Sequence, residues 1–118
     1  MLVEFLMITK EEEHYFKVLG KKHDNVLTFP DKMTPNTLID IIFDDDMIIV
    51  NRRGKTEMYQ EFQLGKRLEG TYQNDMGLSL TIQSETLEMQ VLEHELSILY
   101  DFYIDNSYQS RNKLVIKY

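Results

Sequence analysis

The sequence predicts an all-β fold: one closed or nearly closed antiparallel barrel over residues 1–118, with about 8–10 short strands in up-and-down order. Three observations carry that prediction. Turn-forming clusters recur about every 10 residues from Asp45 onward. The segments between them alternate apolar and polar with a period of two. An open sheet of that size would leave two edges to protect, and closure removes them.

The elements follow in order. Met1 to Lys10 reads as a first strand, and Gly20 to Asn25 as a turn. Thr37, Ile39, Ile41 and Phe43 then share one face. Thr34-Pro35 could instead start a helix over Asn36 to Phe43, but the β-branched and aromatic content argues for a strand. After the turn at Asp44-Asp45-Asp46, Ile48, Val50 and Arg52 share a face, and Arg53-Gly54 turns the chain again. Met58, Gln60 and Phe62 form the next inward set, ended by Leu64-Gly65. Leu78, Leu80 and Ile82 follow the turn at Asn74 to Gly77. Leu87, Met89 and Val91 form a further set, and a turn is expected at Ser84 to Thr86. Glu88, Glu93 and Glu95 favour helix, yet the alternation through Leu99 fits a strand better. Beyond Glu93-His94-Glu95 comes the longest set: Leu96, Ile98, Tyr100, Phe102 and Ile104. A turn over Asp105 to Asn112 leads to Leu114, Ile116 and Tyr118.

Successive hairpin turns alternate between the two ends of a meander. One end then carries Gly20 to Asp24, Asp44 to Asp46, Leu64 to Arg67, Ser84 to Thr86 and Asp105 to Asn112. The other carries Pro30 to Pro35, Asn51 to Gly54, Asn74 to Gly77 and Glu93 to Glu95. Arg52-Arg53 and Lys66-Arg67 therefore fall at opposite ends of one strand and do not form one phosphate-binding stripe. The Asp44 to Asp46 triple shares an end with Lys66 and Arg67, so surface pairing is expected there.

Composition excludes several functions. There is no cysteine among 118 residues, so disulfide scaffolds, thiolate metal sites and thiol catalysis are out. The net charge of −7 repels phosphate backbones and anionic membrane surfaces, which disfavours nucleic acid as a partner. No apolar run approaches the roughly 20 residues of a membrane span. The apolar start, Met1 to Ile8, lacks the features of a secretory signal, and a cytoplasmic location is the expectation. The aspartate triple has neither the glycine nor the distal glutamate of a calcium loop. His14, His23 and His94 are dispersed, and no serine lies in a nucleophile elbow. Gly65, Gly70 and Gly77 match no nucleotide fingerprint; the first and last read as turns and Gly70 as a close approach. No catalytic residue, metal or cofactor is expected.

The candidate site comes from parity. Arg52 shares a face with Ile48 and Val50, and Gln60 with Met58 and Phe62. Polar groups on apolar faces must find partners when buried. They can satisfy one another, or with Tyr72 and Tyr100 they can hold a small, partly apolar or lipid-like ligand inside the barrel. Ligand-binding candidates are thus Arg52, Gln60, Tyr72 and Tyr100.

The central block carries a resemblance. Arg52-Arg53-Gly54, Met58, Phe62, Gly65, Tyr72, Gly77 and Thr86, preceded by Tyr15-Phe16 and Asn36-Thr37, resemble the YwiB-like family of small bacterial proteins. That family is also described as a domain of unknown function with a calycin-like, lipocalin-type β-barrel. The resemblance implies a closed barrel in a cytoplasmic protein of Firmicutes-type bacteria. It implies no catalytic residues, and marks Arg52, Tyr72 and the glycines as fold or pocket positions.

Two functions remain open at this level. One is enclosure of a small molecule by apolar walls and one or two polar anchors. The other is a solid-core structural or interaction module, acting through a surface patch or edge, which homodimerisation through an exposed strand would fit. An enzyme lacks any paired acid and base.

Overall fold

The computed structural model describes residues 1–118 and contains strands without helices. The strands are β1 (Leu2–Ile8), β2 (Glu13–Leu19), β3 (Lys21–His23), β4 (Val26–Pro30), β5 (Thr37–Asp44) and β6 (Met47–Gly54). They continue as β7 (Glu57–Gln63), β8 (Arg67–Gln73), β9 (Ser79–Val91), β10 (Glu95–Ile104) and β11 (Ser107–Lys117). All belong to one 11-stranded sheet in the order β2-β1-β11-β10-β9-β8-β7-β6-β5-β4-β3, with every pairing antiparallel.

The two ends of that order are neighbours in the chain. β2 pairs with β1, and one residue later β3 pairs with β4. A single bent strand therefore joins both ends of the sheet and curls it into a nearly closed barrel. The bend is at Gly20, whose N–H donates to Met1 O at 2.8 Å while the Met1 amine donates back at 3.0 Å. A side chain there would press on Val3, Phe29 and the Thr28 carbonyl, so the close approach requires glycine. Closure stops at Pro30, which has no N–H for a ladder. The next residue, Asp31, donates its N–H to Thr37 O at 2.9 Å and turns the chain away from β2.

Three expectations are corrected. Ser84 to Thr86 is not a turn but the middle of β9, a strand of 13 residues. Thr86 lies opposite Tyr100, yet Glu88 lies opposite Leu99, so Leu87 is the extra residue of a β-bulge. A bulge and a turn change parity identically, and only the pairing separates them. With one turn fewer, the ends are reassigned. Residues 92–94 turn at the same end as Asp45-Asp46, and Asp105-Asn106 turns at the end of the Lys55-Thr56 turn. Second, the turn over Asp105 to Asn112 shrinks to Asp105-Asn106, both with positive φ (49° and 64°), and β11 starts at Ser107. Third, Asp46 accepts from Gln63 Nε2 at 2.9 Å, while Arg67 pairs with Glu85 at 2.9 Å and covers the Tyr103 ring at 3.9 Å. The expected pairing of the aspartates with Lys66 and Arg67 gives way to these cross-strand partners. The two basic pairs do flank β7, Arg52-Arg53 on one side and Lys66-Arg67 on the other.

The inward faces build one core cluster of 16 buried residues. Phe5 stacks on Phe16 at 4.7 Å between ring centres, with Phe29 against both. Phe62 meets Tyr100 edge-on at 4.8 Å. Leu27, Ile39, Ile41, Leu96, Ile98 and Ile116 are fully buried between them. Side chains of this kind contribute roughly 1.5–3 kcal/mol each on burial. This part of the barrel is a packed interior.

Candidate functional site

The polar residues of the interior gather toward the end of the barrel that holds Pro30 to Thr37. Arg52 is on β6 and Gln60 on β7, on the same inward faces as Val50 and Phe62. Gln60 Nε2 donates to Ser84 Oγ of β9 at 3.1 Å, and both residues are buried. Thr86, Tyr100 and Asn112 lie side by side across β9, β10 and β11. Asn112 Nδ2 donates to the Tyr100 hydroxyl at 3.3 Å. Burial pushes the Tyr100 hydroxyl above its ordinary pKa of 10.0. Its hydrogen bonds to Asn112 and Gln60 and the charge of Arg52 offset that only in part. Tyr100 therefore stays a neutral hydroxyl near pH 7.

Arg52 is held from the rim. Its Nη1 donates to Asp31 Oδ2 at 3.4 Å, and the other Asp31 oxygen accepts from Met33 N–H at 2.9 Å. Three buried polar atoms of this layer have no partner: Arg52 Nε, Thr86 Oγ1 and Asn112 Oδ1. Buried polar groups are nearly always paired, so these three atoms are exceptions in the interior. Between them they offer a guanidinium N–H, a hydroxyl and an amide oxygen.

Above this layer the interior changes. Arg52 lies opposite Met58, Met58 opposite Tyr72, and Tyr72 opposite Leu80. All four are half-buried, while Val50, Gln60 and Ile82 one step deeper are buried. This row is the open rim of the barrel on the β6–β9 side. A hollow of about 240 Å3 lies mainly on the outer face of β6–β8, lined by Asn51, Arg53, Tyr59, Thr71 and Gln73 together with Arg52 and Met58, and does not include Tyr72, Leu80, Gln60 or Tyr100.

The four candidates thus occupy two levels. Gln60 and Tyr100 sit in the polar layer, Tyr72 sits on the rim, and Arg52 spans both. The polar layer also contains Ser84, Thr86 and Asn112, and Asp31 holds Arg52 from the rim; none of these four was a candidate. Ser84 continues the parity of Leu80 and Ile82, and Asn112 that of Leu114 and Ile116, so the same signal could have found both. Thr86 has the same parity as Ser84 and falls with it in the expected turn, while Asp31 reaches Arg52 only through the tertiary fold. Each histidine is placed near one surface carboxylate: His14 near Glu12, His23 near Asp24 and His94 near Glu93. No three histidine, aspartate or glutamate side chains converge. No helix is long and apolar enough to cross a membrane.

The profile of a family described as a domain of unknown function (DUF1934) matches residues 9–116. No curated relative matches the sequence. Among solved structures, the crystal structure of the ywiB protein from Bacillus subtilis is similar, with a TM-score of 0.64 and 13% sequence identity. The match covers 98% of this chain and 87% of that one.

Proposed function

The chain belongs to the DUF1934 family, a domain of unknown function, and from its barrel we propose that it binds a small, partly apolar molecule at the rim and polar layer. The observation that supports this is the set of unpartnered buried atoms, Arg52 Nε, Thr86 Oγ1 and Asn112 Oδ1, beneath a half-open apolar row. The ligand's acceptor group would take the Arg52 N–H, and its apolar body would cover Met58, Tyr72 and Leu80. The packed interior beyond Tyr100 leaves no room for a long acyl chain, so the ligand is compact. Pockets of this kind are mostly apolar with a few fixed polar groups.

The filled core also favours a second reading, a solid barrel that serves as an interaction module. Native mass spectrometry of protein purified without denaturation separates the two. A retained small-molecule adduct that is lost in Arg52→Leu supports the binding site. A clean apo mass, with no thermal shift across a panel of metabolites and lipids, supports the solid module.

A further inference from the structure

The barrel seam leaves one strand edge without a backbone partner. Met1 and Gly20 exchange both of their backbone bonds, so the alternate residues Val18, Phe16 and His14 also face β1. Glu13, Tyr15 and Lys17 consequently aim their N–H and C=O groups at the opposite edge. Further along, β4 occupies that edge, with Lys21 opposite Thr28. Beyond Pro30 nothing does: β2 has β1 as its sole ladder partner, and no turn or loop bond reaches Glu13, Tyr15 or Lys17. Their side chains lie on the outer face and are exposed, Tyr15 at 55%. Tyr15 donates to Glu4 Oε1 at 2.8 Å, and Lys17 Nζ lies 3.3 Å from the same oxygen. Those contacts draw both side chains toward β1 and away from the free edge.

We propose that this edge docks a second copy of the chain, β2 against β2 in antiparallel order about a two-fold axis at Tyr15. In that register the two Tyr15 residues exchange both backbone bonds. Glu13 of each copy lies opposite Lys17 of the other, where opposite charges stabilise the pair. Moving the axis to Lys17 would set the two ammonium groups against each other, so charge selects the first register. The resulting contact is isologous, as a two-fold dimer requires. It is also small, so the dimer is weak and concentration-dependent.

Sedimentation of the full chain from about 10 μM to 1 mM tests this, with a shift toward twice the monomer mass as the expected result. Amide exchange of the wild type provides the second reading. The Glu13, Tyr15 and Lys17 amides should gain protection as concentration rises. Glu13→Lys should weaken association about tenfold, and adding Lys17→Glu should restore it to within about threefold. A monomer at the highest concentration overturns the proposal. So does a dimer indifferent to Glu13→Lys, or one in which the Tyr15 amide exchanges as fast as in dilute protein.

Discussion

Asp31, with a side chain only 2% exposed, meets Arg52 through one bond of 3.4 Å to Nη1, which leaves Arg52 Nε buried and unpaired. The carboxylate thus holds the guanidinium at the barrel rim without using its whole donor set. Asp31→Ala would free Arg52 and also remove the acceptor for Met33 N–H. The expected cost is about 1–3 kcal/mol, read from urea unfolding. A loss close to zero would show that the rim loop does not depend on this anchor.

Thr86 separates stability from binding. Its hydroxyl is fully buried and has no partner. Thr86→Val keeps the shape and removes the unpaired group, so ligand-free protein should gain about 1 kcal/mol. Ligand retention in native mass spectrometry should fall in the same variant. A destabilised Thr86→Val protein would mean that the hydroxyl is satisfied within the folded protein and is not reserved for a ligand.

Gly70 and Gly65 should respond differently to alanine. A Cβ on Gly70 would collide with the Tyr59 carbonyl of the neighbouring strand, whereas one on Gly65 meets nothing. Gly65 instead has φ of +77°, in the left-handed region. Gly70→Ala should cost about 3 kcal/mol by overpacking. Gly65→Ala should cost about 1 kcal/mol by backbone strain. Equal melting temperatures for the two variants would contradict this ordering.

Asp40 provides an acid-sensitive element on the outer face. Burial tends to raise its pKa, but hydrogen bonds from Arg53 at 2.7 Å and Thr28 at 2.6 Å outweigh that. Its folded pKa therefore lies below the ordinary 3.8. A carboxyl depressed in this way stabilises the fold above its unfolded pKa, and that contribution fades as pH falls through the folded one. Urea midpoints should drop below pH 4 in the wild type. Arg53→Met should lose stability at pH 7 and show a smaller further loss on acidification. An identical acid response in both proteins would remove Asp40 as its source.

Period-two alternation established the all-β class, the inward sets and most turns. Each is a property of one strand and its own side-chain parity, as at Ile48, Val50 and Arg52. Parity also found Arg52 and Gln60 as polar intruders, and the Arg52 to Thr86 block carried the likeness to the family. Pairing between distant strands decided the rest. Whether the parity change near Leu87 was a turn or a bulge depended on β10, and that one choice moved two turns to the other end of the barrel. The seam at Gly20 and Pro30 depended on strands at both ends of the sheet. The alignment of Thr86, Tyr100 and Asn112 depended on how three strands slide past one another. Register between strands is set by the closed sheet as a whole, so it is invisible to local alternation.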